Sequence, residues 1–286
     1  MHALTHAREL LIALMLSACA SGALAQATPA YEPNVGQEGK DVVWVPTPQA
    51  LVDKMLDMAK VTPKDYLIDL GSGDGRTVIT AAKRGVRATG IEYNPDMVEL
   101  SKRNAQTEGV AEKATFVKAD LFASDFSKAT VITMFLLDRI NLQLRPKLLN
   151  LKPGTRLVSN TFTMGDWAED AKVNVSDGCQ SFCAAYLWIV PAKVTGAWKM
   201  GPGELQLRQD FQMVTGKLTI GDKEMLISGG RLRGDRLAFS AGGVDYVGRV
   251  NGNVIEGVGK GAAAWRAERV RKQRVEPEPP AGVERS

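Results

Sequence analysis

The sequence predicts an α/β protein in which a doubly wound parallel sheet is followed by a small antiparallel β-domain. A short apolar run over residues 66–70 breaks into a turn with glycines at positions 71, 73 and 75, and a helical pattern follows. Strand, glycine turn and helix form the nucleotide-binding half of a doubly wound sheet. From residue 194 onward the pattern changes to short alternating runs separated by turn signals at intervals of about ten residues, which is typical of an antiparallel meander.

The length of the chain fits one α/β domain and a smaller companion. It has 286 residues, of which 44% are hydrophobic and 24% are charged, so a sizeable core can form. The net charge of +4 is small and dispersed, which argues against nucleic acid as a partner. The predicted parts are a signal peptide (1–25), a flexible arm (26–43), an α/β domain (44–192), a β-domain (193–270) and a disordered tail (271–286).

The N-terminus has the features of an export signal. Its apolar core, Leu10–Ala18, is too short to span a membrane as a helix. The small-x-small pattern at residues 23–25 predicts cleavage before Gln26. Residues 16–19 also resemble a lipoprotein box, which would instead leave a lipid anchor on Cys19. Both alternatives predict an exported, periplasmic protein without a transmembrane span.

Export leaves two cysteines, Cys179 and Cys183, in an oxidising compartment. A disulfide between them and a pair of small buried hydrophobic side chains are both compatible with the sequence. No pair of histidines accompanies them, so we expect no metal site.

The elements of the first domain follow in order. Thr47 is the expected N-cap of the first helix, with Pro48 at its first position and apolar residues at helical spacing behind it. Asn94 and Pro95 open a later helix that ends near Glu108, before Gly109. The remaining predictions are strands over 86–91, 114–118, 129–137, 155–162 and 186–190, and a helix over 140–149 interrupted or restarted at Pro146.

The β-domain is predicted from six short runs. We expect an antiparallel meander or partial barrel, with Arg233-Gly234-Asp235 as a hairpin turn and not an adhesion motif. The runs are 204–208, 212–220, 225–228, 236–240, 245–250 and 254–258.

Charge around the glycine turn indicates the ligand. A dinucleotide fingerprint requires a third glycine where this chain has Arg76, and the carboxylates of Asp69 and Asp74 would repel a pyrophosphate. An amino group or a sulfonium would instead be attracted. Acidic residues also follow the next two strands, at Glu92 and Asp120. This series resembles the class I S-adenosylmethionine (SAM)-dependent methyltransferases and their Rossmann-like sheet.

That resemblance implies SAM as the cofactor. Asp69 would face the methionine amino group, Glu92 would bind the ribose, and Asp120 and Leu121 would border the adenine. The Pro-Thr-Pro turn at Thr47 would lie over the methionine end. The expected cofactor-binding residues are Thr47, Asp69, Gly71, Ser72, Gly73, Arg76, Glu92, Tyr93, Asp120 and Leu121.

The end of the fourth strand is the expected acceptor pocket. Residues 134–137 read Met-Phe-Leu-Leu, whereas methyltransferases of planar amino groups carry an Asn/Asp-Pro-Pro-aromatic turn there. Together with residues 45–48, 69–76, 92–95 and 144–147, they resemble the protein-lysine methyltransferases of mitochondrial inner membranes and their archaeal relatives. The resemblance covers about residues 40–190.

A lysine acceptor is what this narrower resemblance implies. The ε-amine must arrive deprotonated, and a hydrophobic slot would lower its pKa by desolvation. Phe135 and Thr133 are the predicted catalytic residues, and Phe135 with Trp44 or Phe162 would line the slot.

Two alternatives remain open at this stage. In the first, the enzyme methylates a small molecule and the β-domain covers the substrate. In the second, the protein is an exported, non-catalytic binder of a SAM-like ligand, because SAM is made in the cytosol.

Overall fold

The computed structural model describes residues 31–259 and 264–270. The predicted signal peptide, its two cleavage alternatives and the predicted tail beyond residue 270 lie outside this range and stay predictions. The described residues from Pro33 onward belong to one compact unit.

The first sheet has seven strands in the order β3-β2-β1-β4-β5-β7-β6. Strands β1 to β5 run parallel, and β7 pairs antiparallel with both β5 and β6. The strands are β1 (Tyr66–Leu70), β2 (Arg87–Glu92), β3 (Ala114–Lys118), β4 (Val131–Met134), β5 (Arg156–Asn160), β6 (Ala171–Asn174) and β7 (Ala184–Ile189). The helices are α1 (Gln49–Met58), α2 (Arg76–Lys83), α3 (Pro95–Thr107) and α4 (Asp138–Leu148).

Apolar side chains cover both faces of this sheet. One cluster joins α1, α2 and α3 to one face, for example through Leu51 and Val78. A second cluster joins α4 to the other face through Ile140 and Leu144. Strand order reverses between β1 and β4, and in such sheets ligands bind beyond the carboxyl ends of the strands at that point.

Helix ends agree with the sequence where the signals are local. The Asn94 side chain accepts a 2.9 Å hydrogen bond from the Asp96 amide, and Gly109 has a φ of +67° after α3. The start of α1 differs from the prediction. The helix begins at Gln49 without a side-chain cap, and the Thr47 hydroxyl instead accepts a 3.2 Å bond from the Asn160 side chain.

Helix α4 also differs from its prediction, because it runs through Pro146 without interruption. A proline removes the bond to the carbonyl four residues earlier, here that of Leu142. Leu142 is 40% exposed, so this turn of the helix lies on the solvent side, where water can replace the bond.

The second sheet is a closed antiparallel barrel, and the predicted fold class is confirmed. Its order is β11-β10-β12-β13-β14-β15-β16-β8-β9, and a further pairing between β9 and β10 closes the ring. Arg233 pairs with Arg236 across the predicted hairpin turn. The strands are β8 (Gly196–Met200), β9 (Gly203–Asp210), β10 (Met213–Ile220), β11 (Lys223–Leu226), β12 (Ser228–Arg233), β13 (Arg236–Ala241), β14 (Val244–Asn251), β15 (Val254–Gly259) and β16 (Ala264–Arg269).

The barrel packs directly on the first sheet. Trp167 and Phe211 stack with ring centroids 5.8 Å apart and planes 9° from parallel. The Gln212 side chain donates a 2.8 Å bond to the carbonyl of Ala168, and Arg231 donates one of the same length to Asp170. Among the described residues, no helix is long and apolar enough to cross a membrane.

Candidate active site

A pocket opens at the carboxyl ends of β1, β2 and β4. All of the predicted site residues line it except Thr133. Its described lining lies between residues 37 and 182, so the barrel contributes none of it. The predicted residues on the pocket wall are Thr47, Asp69, Gly71, Ser72, Gly73, Arg76, Glu92, Tyr93, Asp120, Leu121 and Phe135.

Asp69 is a buried carboxylate at the end of β1. The Thr133 hydroxyl donates a 2.6 Å hydrogen bond to it, and no Lys or Arg among the described residues forms an ion pair with it. Burial raises the pKa of Asp69 to about 7, and the charges of Glu92 and Asp74 add to the effect, while the Thr133 bond opposes it. A cationic group bound beside Asp69 would therefore favour the ionised carboxylate.

Thr133 lies behind Asp69 and not on the pocket wall, so its predicted catalytic role is corrected to one of orienting Asp69. Asp69 and Thr133 are register partners on the parallel strands β1 and β4. Their side chains therefore lie on the same face of the sheet, and the fully buried hydroxyl reaches the carboxylate and not the ligand space.

The glycine turn forms a cradle that a side chain would fill. Gly71 and Gly73 have φ values of +75° and +54°. A Cβ on Gly73 would come within 2.6 Å of Trp44 Nε1, and one on Gly71 within 3.2 Å of the Leu136 side chain. The Ser72 hydroxyl is buried in this turn without a partner. This hydroxyl packs towards Gly90 of β2, so the open space of the cradle comes from Gly71 and Gly73, and their missing side chains fit the expected cofactor.

Glu92 connects the end of β2 to this turn. One carboxylate oxygen accepts bonds from the amides of Tyr93 (2.8 Å) and Asn94 (2.9 Å), and the other accepts one from the amide of Gly73 (2.9 Å). These bonds fix the carboxylate at the pocket wall, where further acceptor capacity remains for hydroxyl groups of a ligand.

Arg76 binds protein groups on the pocket wall. Its guanidinium pairs with Asp74 at 2.6 Å and donates a 2.9 Å bond to the carbonyl of Thr47. The arginine thus balances the charge of Asp74 and ties α2 to the turn before α1.

Residues 37–44, which we call the strap, lie on the other side of the pocket. The Trp44 amide donates a 2.9 Å bond to the carbonyl of Gln37. Lys40 pairs with Asp120 at 2.6 Å, and its ammonium lies 4.8 Å from the centre of the Tyr93 ring. The Lys40 hydrogen bond lowers the pKa of Asp120. The sequence predicted a loose arm through residue 43. In the structure, Lys40 of this segment contacts Asp120, a residue far along the chain that the sequence did not connect with the arm.

Three phenylalanines form the other end of the pocket. The Phe135 ring centroid lies 5.9 Å from that of Phe162 and 5.2 Å from that of Phe182, and the latter two are 6.3 Å apart. We call these rings the aromatic slot. Phe135 and Phe162 were expected at such a slot, and Trp44 instead lies in the strap beside the glycine turn.

Phe182, like Lys40, lines the pocket and was not predicted from the sequence. It lies in the loop between β6 and β7, where Cys179 and Cys183 form a disulfide. The structure thus favours the disulfide over two small buried hydrophobic side chains. The signal was present in Cys-Gln-Ser-Phe-Cys, because a bridge across this short spacing forces the enclosed residues into a tight loop. The described residues contain no group of side chains that could hold a metal ion.

Comparison with known proteins agrees with this geometry. Residues 69–171 match the family model of the ANTKMT methyltransferase domain. A protein-lysine N-methyltransferase of Saccharolobus islandicus is 43% identical over 152 residues, covering 52% of this chain and 94% of that protein. An adenine nucleotide translocase lysine N-methyltransferase of Mus musculus is 32% identical over 124 residues, covering 43% of this chain and 54% of the mouse protein.

A solved structure of an RNA methyltransferase from Salinibacter ruber, in complex with S-adenosyl-L-homocysteine, is also similar. It is 45% identical, covers 52% of this chain and 96% of its own, and has a TM-score of 0.49. The archaeal relative is matched over nearly its whole length, and the pocket has the acidic series and glycine cradle of SAM-binding sheets. This chain therefore belongs to the ANTKMT-type family of class I SAM-dependent methyltransferases, with an added C-terminal barrel.

Proposed function

We propose that this enzyme N-methylates the ε-amine of lysine side chains in a protein substrate. The observation that carries the proposal is the aromatic slot, the apolar end of the same pocket whose other end fits SAM. The relatives named as lysine N-methyltransferases support the same acceptor.

The cofactor end of the pocket supplies one group for each part of SAM. Asp69, held by Thr133, would accept hydrogen bonds from the methionine ammonium, and Glu92 would accept them from the ribose hydroxyls. Asp120 and Leu121 would border the adenine. When bound, SAM supplies a methyl group on a positively charged sulfur, an electrophile that a neutral amine attacks directly.

The acceptor end would hold the amine in line and keep water away. Phe135 and Phe162 are half-buried and line the pocket, and an amine that lies against these rings loses hydration, which favours its neutral, nucleophilic form. Holding two reactants in line can lower a barrier substantially without acid or base assistance. The proton of the incoming ammonium would leave to solvent at the slot mouth, where Phe182 is 39% exposed.

We further propose that the mature protein is exported and acts on an envelope protein. The N-terminal signal pattern and the Cys179–Cys183 disulfide support this location, because disulfides persist in oxidising compartments.

The test uses purified protein with methyl-radiolabelled SAM and two acceptor pools, envelope proteins and small metabolites. We expect label in protein, recovered after hydrolysis as Nε-methyllysine. At subsaturating SAM, Asp69→Asn should strongly reduce the label, and Asp222→Asn, which changes an exposed acid on the barrel, should leave it unchanged. Label confined to small metabolites would favour the small-molecule alternative, and SAM binding without any transfer would favour the non-catalytic binder.

A further inference from the structure

The loop between β6 and β7 brings one side chain to the mouth of the aromatic slot. Val175 donates a 2.9 Å bond to the carbonyl of Cys183 at the base of the loop. The disulfide closes the loop between residues 179 and 183, and Phe182 lies immediately before its second cysteine. This ring contacts Phe135 edge-on and Phe162 at a tilt, and it is the most exposed of the three.

The backbone at the slot is strained at two places. Phe182 has a φ of +55° and Thr161, directly before Phe162, has a φ of +59°. Bulky and β-branched residues rarely adopt this left-handed region, and such strain persists only where the surrounding structure over-determines it, often at functional sites. The disulfide supplies that constraint for Phe182. For Thr161, a 2.8 Å bond to the carbonyl of Ala184 ties the end of β5 to the start of β7.

Val175 packs on the first apolar cluster at the base of the loop, and beyond it the loop has few buried contacts. Its residues are half-buried or exposed from Val175 to Cys183, and Gly178 approaches α1 only at Ala50. A loop with few buried apolar contacts opens at low free-energy cost. Without the covalent closure, the strained Phe182 backbone would relax and the ring would leave the slot mouth.

We propose that Phe182 is an acceptor-positioning residue and that the Cys179–Cys183 disulfide holds it in place. This inference rests on the proposed function for the identity of the acceptor. Phe135 and Phe162 form the inner part of the slot, and Phe182 completes its outer wall against the alkyl stem of the lysine. The oxidised loop therefore sets acceptor affinity, whereas the cofactor groups lie at the ends of β1 and β2.

The redox step of this proposal is reduction by a dithiol. The reductant delivers two electrons and two protons to the S–S bond, two thiols form on this chain, and the reductant itself becomes a cyclic disulfide.

The first experiment measures KM and kcat for a lysine peptide that the wild-type enzyme methylates, together with Kd for SAM. Phe182→Ala should raise KM for the peptide roughly tenfold, because the lysine side chain loses its contact with one aromatic ring. The Kd for SAM should not change. Phe182→Leu should recover part of the loss. Leu226→Ala removes an apolar side chain that is 76% exposed on the barrel and is the matched control.

The second experiment tests the role of the disulfide by reducing it. Reducing the wild-type protein with dithiothreitol should raise KM for the peptide as Phe182→Ala does, and reoxidation should restore it. Cys179→Ser/Cys183→Ser should show the raised KM without reductant and should not respond to it. Unchanged KM in Phe182→Ala, or a parallel loss of SAM affinity, would overturn the positioning role. A reductant effect that persists in the double serine variant would overturn the role of the disulfide.

A binding measurement separates this proposal from the proposed function. Protein with carbon-13 phenylalanine rings, saturated with S-adenosyl-L-homocysteine, is titrated with n-butylamine, which carries the end of a lysine side chain. Shifts at Phe182 that disappear on reduction support the loop as part of the slot even if no lysine is methylated. If peptides are methylated but the Phe182 resonance does not respond to the amine, the proposed function stands and this inference fails.

Discussion

The carboxylate of Asp69 is buried with one hydroxyl partner, and its environment makes it a pH-sensitive ligand group. Its pKa of about 7 lies above the usual value for aspartate, so protonation begins well within the physiological range. An ammonium group can be bound strongly only by the ionised form. Ligand affinity and protein stability should therefore depend on pH in opposite directions.

We predict that SAM affinity rises as pH increases from 5 to 7 and levels off above 7. Below the pKa the site must lose a proton before it can bind the methionine ammonium, and that cost falls as pH rises. Asp69→Asn should weaken binding by about 10- to 100-fold at pH 8 and should remove this part of the pH dependence. Isothermal titration calorimetry at several pH values measures both. An identical pH profile in the variant would exclude Asp69 as the titrating group.

Stability should show the reverse dependence. Because the folded-state pKa is raised, the folded protein holds a proton that the unfolded chain has lost, and stability falls as pH rises from about 4 to 7. Asp69→Asn lacks the buried charge, so we predict a higher melting temperature than wild type at pH 8 and a much smaller difference at pH 4. Thermal unfolding without ligand measures it, and a variant less stable than wild type at pH 8 would contradict the burial argument.

Among the elements, the strap is held by an exposed ion pair, by a bond from Arg139 to the carbonyl of Asp41, and by the packing of Val42 on the second apolar cluster. Lys40 and Asp120 are each about one-third exposed, so their bond at 2.6 Å is screened by solvent and salt. The strap also contributes Trp44, which lies against the glycine turn. Loss of the ion pair should loosen the strap without removing it from the pocket wall.

We predict that Lys40→Met increases the dissociation rate of SAM a few-fold with little change in its association rate, since one exposed pair contributes little. Stopped-flow displacement of SAM measures the dissociation rate, and high salt should reproduce the effect in the wild-type protein. Lys64→Met, at an exposed position outside the pocket lining, is the matched control. A slower dissociation in Lys40→Met would mean that Lys40 competes with the ligand for Asp120.

Elements whose ends are marked by local sequence signals could be predicted from the sequence. Elements that form only by pairing with other strands could not. Helix α3 could be predicted because Asn94, Pro95 and Gly109 mark both of its ends within the sequence. Strand β12 begins Ser-Gly-Gly, which reads as a turn, and it exists because β13 pairs with it. Strand β16, Ala-Trp-Arg-Ala-Glu-Arg, has little strand character of its own and is fixed by β15 and β8.

The same distinction applies to the site. The acids after β1 and β2 could be placed from sequence because parallel strands bring their carboxyl ends to one edge. The position of Thr133 behind Asp69 required the register of β1 against β4. Lys40 and Phe182 could not be placed, because each reaches the pocket through a contact with residues distant in the sequence.

At the scale of the whole molecule, the proposed export would decide where the enzyme meets its acceptor. We predict a mature chain that begins at Gln26, or at Cys19 with lipid attached, recovered from the cell envelope fraction. Intact mass spectrometry after fractionation distinguishes the two starts. A chain that begins at Met1 and remains in the cytosol would contradict export and would place the enzyme where SAM is made.

The barrel packs on the first domain, yet none of its described residues lines the pocket. Its contacts include Trp167, Ala168 and Asp170 on the segment between β5 and β6, and Arg145 of α4, whose guanidinium lies over the Phe211 ring. Trp167 is 1% exposed and the Asp170 side chain is fully buried beneath Arg231, so the barrel covers apolar and charged surface that would otherwise face water. Removing it should therefore cost stability and not cofactor affinity.

We predict that a chain ending at Ala192 binds SAM within about threefold of the full-length protein, melts at a lower temperature and is less soluble, because Trp167 loses its stacking partner. It should also lose much of its activity on a natural protein acceptor while it still methylates a short lysine peptide.

Arg231→Met in the full chain is the companion variant, since it breaks one interface bond with the barrel in place and should lower the melting temperature alone. If the shortened protein is folded, as judged by circular dichroism, but no longer binds SAM, the barrel is part of the active site. Equal activity of both forms on the natural acceptor would show that the barrel stabilises the catalytic sheet and has no part in recruiting the substrate.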